Sequence, residues 1–358
     1  MEEVAIFHTA DLHDGAYRFL PDSLGRCNEM FEAIYNCVVQ YQAQLKILVI
    51  AGDIFDRKNI TEEERNLFFA FVVRMVKMKI HIVMMNGNHD YYTESLTLLQ
   101  PFKYVAALNQ YLHVVLGEPA SVTIEDIGFG CVPCQQDLTT EQLTSIAKNL
   151  RKRCTCSTFY MVVHEAVYGS ANFRNTWKAK SDKYLKIPSL SFVTGWMLGD
   201  IHQRQQISTN AWYSGAPLQI KSDESPSNGI LQWIGSKTKF HPLKIRGFRF
   251  TNDFDEALKY AKAGHYVRFK GKTPPGVDVP SNIVCDDSIA AIEVDLDYES
   301  GSEVGEFKVT IDLIGPLPKF LAARGMQPRH QTMAIEMVSS IIQSRNSVVA
   351  EELEDVED

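Results

Sequence analysis

LKILVIAGDIFD, residues 45–56, decides how this chain is read. It begins as an apolar run rich in Ile, Leu and Val with no polar alternation, the signature of a strand buried on both faces. The run stops at Gly52, and Asp53 follows at once. Taken alone, Asp53 could be a turn or helix-cap residue. Its meaning depends on whether other strands end the same way.

They do. VAIFHTADLH (4–13) reads as a short buried strand and a loop carrying Asp11 and His13; IHIVMMNGNHD (80–90) as a strand ending at Asn88 and His89. FYMVVHE (159–165) ends at His164, and FVTGWMLGDIH (192–202) at Asp200 and His202. Helical patterns lie between the strands. Leu24, Cys27, Phe31, Ile34 and Val38 recur at helical spacing over 23–40. Thr61 and Glu64 form a capping box ahead of Leu67, Phe68, Phe71, Val72 and Met75, and Thr139 with Gln142 predicts a second capped helix through Leu150. IGFGCVP (127–133) is a further strand, and AWYSGAPLQI (211–220) follows the last of the strand-to-loop transitions. Strands alternating with helices predict a layered α/β domain whose ligands sit outside the carboxyl ends of the strands.

Near residue 235 the pattern changes. KTKFHPLKI, HYVRFKG, AAIEVDL and EFKVTIDLIG are strand-like, with one helical stretch near 255–263. The reading is an α/β body over 1–235, a small α+β domain over 236–314 and a C-terminal helical segment over 315–358. In that segment Ala334, Met337, Val338, Ile341 and Ile342 recur at helical spacing.

Composition narrows the class. The 358 residues are 45% hydrophobic, enough for roughly two to three units with sizeable cores. No apolar run approaches the about 20 residues that span a bilayer, and the acidic start MEEVAIF is no signal peptide, so a cytoplasmic protein without a membrane partner is expected. The seven cysteines fit reduced core thiols. Cys131 and Cys134 with Cys154 and Cys156 could form a zinc site, but the second pair lacks the usual ligand spacing. The net charge of −8 argues weakly against a polyanion partner. However, the final EELEDVED carries most of it, and basic residues cluster at 151–153, 178–186 and 237–272. Local fields matter more to a phosphate backbone than net charge does.

Each strand-end group has a bland explanation on its own; a lone histidine such as His164 is more often structural, and His8 and His113 are read that way. Together they suit two divalent ions. Such ions lie about 3.5–4 Å apart and need a shared carboxylate, for which Asp53 is the natural bridge. Carboxylates, imidazoles and an amide oxygen fit Mn²⁺ or a similar ion.

The order of these motifs resembles the calcineurin-like metallophosphoesterases. HTADLHDG, AGDIFDRK, NGNHDYY, VVHEA, LGDIHQRQQI and YSGAPLQI are similar, within that family, to the DNA-repair nuclease subunits of the SbcCD type, phage-encoded members of which are equally compact. The resemblance is strong over 4–235 and weaker beyond. It implies a layered β-sandwich flanked by helices, with a capping domain that binds DNA. It implies Asp11, His13 and His202 on one ion, Asn88, His164 and Asp200 on the other, and Asp53 between them, the ions being Mn²⁺ or Mg²⁺. His89 would stay off the metals as a transition-state stabiliser or proton donor. The implied reaction is hydrolysis of DNA by metal-activated water, as 3′-to-5′ exonuclease and endonuclease. The implied partners are DNA, an SbcC-type ABC ATPase docked on the C-terminal helix, and a second copy in a homodimer. Position 200 departs from the family pattern, which has His there; Asp is also a competent ligand. Two alternatives stand beside this reading: an esterase for small phosphodiesters or phosphoproteins, and an inactive scaffold. The scaffold predicts missing ligands, whereas all seven positions here carry metal-binding side chains.

Overall fold

The computed structural model describes residues 2–285 except 17–21, 94–95, 136, 173–177, 182, 221–223, 226, 272–278 and 281. The strands read in 286–314 and the helix read from Gln331 lie outside the described residues. The chain opens with β1 (Glu2–Thr9), α1 (Ser23–Gln40), β2 (Ala43–Ala51), α2 (Glu62–Lys77), β3 (His81–Met85), α3 (Gln100–Ala106) and β4 (Leu112–Val115). It continues with β5 (Ala120–Ile124), β6 (Ile127–Val132), α4 (Thr140–Lys152), β7 (Thr158–His164), β8 (Gly195–Gly199), β9 (Gln205–Ser208) and β10 (Ala211–Tyr213), then β11 (Gly229–Ile234) and β12 (Lys237–Pro242).

These strands form two mixed sheets, ordered β12-β11-β1-β2-β3-β4 and β5-β6-β7-β8-β10-β9. β1 to β4 run parallel, as do β6, β7, β8 and β10. The unbroken apolar reading of β2 follows from its place. Ile47, Val49 and Ala51 face the second sheet and pack with Val83, Met85, Val162 and Met197. Leu48 and Ile50 face the other way, into a core with Phe31, Phe68 and Phe71 from α1 and α2. On the far side, Leu143, Ala147 and Leu150 of α4 pack on Phe159, Met161 and Leu198. The layers are therefore helix, sheet, sheet, helix, the α/β sandwich expected.

The local signals hold in detail. Both capping boxes form, Thr61 with Glu64 and Thr139 with Gln142. Along α1 the buried face is Arg26, Cys27, Met30, Phe31, Ile34 and Val38. Leu24 is 39% exposed, because the first turn buries Arg26 and Cys27 instead.

The chain divides into two units, Met1–Arg249 with Ala263–His265, and Phe250–Lys262 with the chain from Tyr266 on. The sequence changes character near 235, yet β12 pairs antiparallel with β11 at the edge of the first sheet. The described part of the second unit holds a three-stranded sheet of β13 (Phe248–Thr251), β14 (Tyr266–Phe269) and β15 (Ile283–Cys285), covered by α5 (Phe254–Lys262). Ala257, Ala261, Val267, Phe269 and Ile283 form its own small core. No helix among the described residues is long and apolar enough to cross a membrane.

Candidate metal centre

The loops that leave β1 and β2 stay zipped together beyond the sheet. Asp11 N donates to Gly52 O at 3.0 Å and His13 N to Asp53 O at 3.1 Å; further on, Asp14 N donates to Ile54 O and Asp56 N to Asp14 O. The backbone reaches this path through left-handed conformations at Asp11 (φ 54°), His13 (φ 44°) and Asp53 (φ 51°); Asp200, after β8, has φ 93°. Non-glycine residues seldom adopt that region, and such strain persists where the surrounding structure over-determines it, often at functional sites. Here it turns side chains of adjoining strand ends toward one point.

Three clusters of candidate ligand atoms result: Asp11 with His13 and His202, Asp11 with Asp53 and His164, and His13 with Asp53 and His89. Asp53 Oδ2 lies 3.3 Å from His164 Nε2 and 3.7 Å from His13 Nε2. Asn88 Oδ1 is 3.1 Å and Asp200 Oδ1 4.0 Å from His164 Nε2. The rim thus gathers all seven strand-end residues read as ligands, Asp200 at its margin. His89 is also there, exposed, with its ring 4.7 Å from that of His13. Its inclusion in a cluster with His13 and Asp53 puts it nearer the ligand atoms than a purely outer role requires.

The contacts on the far side of each imidazole show which nitrogen faces inward. His164 Nδ1 donates to the Ala51 carbonyl at 2.7 Å, and His202 Nδ1 to Glu224 Oε1 at 2.6 Å. His13 Nδ1 lies 3.3 Å from Asp56 Oδ1. Each of the three therefore turns Nε2 to the centre, and His89, whose Nδ1 donates to Asp56 O at 2.7 Å, likewise keeps Nε2 free.

Packing is close enough that glycines wall the site. A Cβ on Gly87 would sit 2.1 Å from Asp53 Oδ1 and 2.6 Å from His164 Nε2; one on Gly52 or Gly199 would fall 2.3 or 2.7 Å from His164 Nδ1.

Electrostatics then ask for positive charge. Burial lifts the Asp11 carboxyl to about 7, against the opposing pull of His164 and His202. Burial likewise raises Asp200 above the usual carboxylate range. For Asp53, burial opposes ionisation, but the charges of His164 and His13 outweigh it and hold it below that range. Burial also opposes charge on His164, yet Asp53, Asp11 and Asp200 lift it well above an ordinary histidine. Asp11 Oδ2 is buried with no hydrogen-bond partner, and the His13 and His202 Nε2 atoms face each other at 3.1 Å. Two lone pairs at that distance need a proton or a cation between them. The donor set of oxygens and imidazole nitrogens, with an orphaned buried carboxylate oxygen, fits divalent cations.

Three supporting residues escaped the sequence reading. Asp90, fully buried, accepts from the backbone N–H groups of Ile54, Phe55 and Gly87, and so ties the loop after β3 to the loop after β2. Burial and the nearby Asp53 charge push it up to about 7 despite those donors. Asp56 supports His13 with its carboxylate and His89 with its carbonyl. Glu224 holds His202. None of these partnerships has a sequence signal beyond the residue type. No cysteine enters the ligand clusters found among the described residues, and burial pushes the thiols of Cys131 and Cys134 up to about 12. His8 is buried in the core, pushed down to about 3 by burial and accepting from Trp233 Nε1, while His113 pairs with His81 on β3.

Comparison with known proteins agrees with this geometry. Residues 4–153 match the family model of the calcineurin-like phosphoesterases, so that stretch is a calcineurin-like phosphoesterase domain. The chain is 26% identical over 222 residues to protein 244L of Invertebrate iridescent virus 6, named as a phosphoesterase, covering 60% of this chain and 74% of that one. It is 23% identical over 255 residues to the SbcD component of the nuclease SbcCD of Escherichia coli strain K12, covering 61% of this chain and 62% of that one. A shorter match, 31% over 67 residues, links it to the DNA double-strand break repair protein Mre11 of Nanoarchaeum equitans, of which it spans 19%.

Proposed function

We propose that this metallophosphoesterase domain is a two-cation phosphodiesterase that cuts DNA, as exonuclease and endonuclease, in an SbcCD-type repair complex. The observation that carries the reading is the convergence of Asp11, His13, Asp53, Asn88, His164, Asp200 and His202 on one rim, with Asp53 between two ligand groups. Asp11, His13 and His202 would hold one ion, Asn88, His164 and Asp200 the other. The names of the bacterial and archaeal relatives supply the choice of DNA among phosphodiesters. Mn²⁺ fits the mixed oxygen and nitrogen donors, with Mg²⁺ as the second candidate.

When bound, the cations supply charge neutralisation at phosphorus and lower the pKa of the attacking water. The protein's own groups do the positioning. The Nδ1 bonds described above fix His164 and His202 with Nε2 inward, and the Asp56 carboxylate lies beside Nδ1 of His13. Asp53 receives the His89 backbone N–H on Oδ1 at 2.9 Å, so the bridging carboxylate and the loop of His89 are set together. His89, exposed and tethered through Nδ1, would present a proton from Nε2 to the leaving oxygen when its ring carries a proton on both nitrogens.

In this reading the second unit contacts DNA, the segment from Gln331 docks an SbcC-type ABC ATPase, and the protein works as a homodimer in the cytoplasm. The deciding experiment incubates the purified chain with end-labelled duplex DNA, single-stranded DNA and a small aryl phosphodiester, each with Mn²⁺, Mg²⁺ or EDTA. Mn²⁺-dependent DNA cleavage abolished by EDTA is expected. Turnover of the small ester with DNA left intact would replace this reading with that of a small-phosphodiester esterase.

A further inference from the structure

His202 enters the centre with one nitrogen and is gripped by the other. Its Nδ1 lies 2.6 Å from Oε1 of Glu224, and the two side chains are only 19% and 14% exposed. An ionised carboxylate has no proton to give, so the imidazole donates and Nε2 retains the lone pair that faces His13. The second oxygen, Oε2, accepts from Ile220 N at 2.7 Å, which holds the carboxylate against rotation. Its own carbonyl accepts from the amide of Gln219, a side chain almost wholly buried.

The same loop grips the histidine's backbone. Ala216 N donates to His202 O at 3.0 Å. Gly215 adopts φ 73°, and a Cβ there would lie 2.7 Å from that carbonyl oxygen. The loop between β10 and β11 therefore encloses His202 from both ends. His164, by contrast, rests its Nδ1 on the neutral carbonyl of Ala51, and Asp56 shares its charge between His13, at 3.3 Å, and Arg57, at 2.8 Å.

We propose that Glu224 is a positioning residue for the centre. It locks His202 in the Nδ1-protonated tautomer, strengthens Nε2 as a donor, and so sets the affinity of the ion held by Asp11, His13 and His202. The inference rests on the two-cation reading above. Carboxylates that receive the outer N–H of a ligand histidine act this way, and removing them typically weakens metal affinity roughly 10- to 100-fold.

The test uses the full chain. Long-range proton–nitrogen NMR spectra of the metal-free protein report the His202 tautomer, and calorimetric titration with Mn²⁺ reports both ions in wild type, Glu224→Gln and His202→Ala. The Nδ1-protonated form is expected in wild type. In Glu224→Gln one of the two ions should bind about 10- to 100-fold more weakly, with the other unchanged and the melting temperature of the metal-free protein preserved. Unaltered affinity for both ions in Glu224→Gln overturns the proposal. Equal weakening of both ions with a lowered melting temperature also overturns it, since that marks a loop that only supports the fold. If wild type takes up fewer than two ions, the two-cation reading itself fails, a result distinct from either of these; wild-type affinity for both ions in His202→Ala would remove His202 from the ligand set and overturn the proposal with it.

Discussion

Gly87→Ala should silence the site while leaving the fold in place. Gly87 follows β3 in the NGNHD stretch, and its φ lies outside the left-handed region, so the constraint is space. A Cβ there would stand 2.1 Å from Asp53 Oδ1, 2.5 Å from Asp53 N and 2.6 Å from His164 Nε2. Ordinary contact between such atoms is about 3.5 Å, so something must retreat by roughly 1 Å. The side-chain oxygen and the ring could turn, but Asp53 N is backbone. The loops after β2 and β3 therefore have to part, and Asp90, which bonds to both, resists. Overpacking of this kind costs about 1–3 kcal/mol. The larger effect falls on chemistry, because a displacement of about 1 Å at a reacting centre lowers turnover about 10²-fold. Activity on a small aryl phosphodiester with Mn²⁺, Mn²⁺ calorimetry and thermal melting would be measured together. Gly117→Ala is the control: it has φ 70° but no atom within 4 Å of the added Cβ, so it should lower stability slightly and spare activity. Wild-type turnover and Mn²⁺ affinity in Gly87→Ala would refute the claim that this glycine lets Asp53 and His164 meet.

Other outcomes follow from the same geometry. His89→Asn should bind both ions and lose about 10²- to 10⁴-fold in turnover, with calorimetry showing intact binding and kinetics showing the loss. Asp200→Ala should lose the ion on the Asn88 and His164 side and nearly all activity, while Asp200→His should keep activity with weaker Mn²⁺ affinity and a pH–rate curve moved to lower pH; unchanged titrations in both variants would remove Asp200 from the ligand set. Because the Asp11 carboxyl titrates near 7 in the metal-free protein, well above its unfolded value, its ionisation weakens the metal-free fold as pH rises from about 4 through 7. Mn²⁺ must displace that proton, so affinity should fall as pH drops from 8 to 5 and binding at pH 6 should release protons, read as a buffer-dependent heat; pH-independent affinity would contradict it.

Much of this was legible because its causes are local. A capping box is written in four consecutive residues, and both boxes form. A strand buried on both faces carries few polar residues, so the polar groups gathered at the carboxyl ends of β1, β2, β3, β7 and β8 mark one rim. What was not legible depends on distant backbone. Asp90 matters through the N–H groups of Ile54 and Phe55, more than thirty residues earlier. Glu224 meets His202 across more than twenty residues of chain, held there by Gln219 and Ile220. The strand at 237–242 has the polar composition of a separate small domain, yet an edge strand with one solvated side reads the same way, and hydrogen bonding to β11 puts it in the first sheet.

The charge balance of the centre also turns on position 200. In the proposed site the ligand histidines would be neutral because the cations take up their Nε2 lone pairs, and the ligand carboxylates would be Asp11, Asp53 and Asp200. Three carboxylates against two dications would leave one net positive charge before a metal-activated hydroxide is counted, and an imidazole at position 200 would leave one more. Inside a partly buried site, where fields are screened far less than in water, an unmatched unit charge is expensive. Burial already holds the Asp200 carboxyl above its usual range in the absence of cations, so the ions and this carboxylate need one another. The aspartate in LGDIH therefore makes the proposed centre one charge less positive than the histidine of the family pattern would, a difference that Asp200→His reads directly.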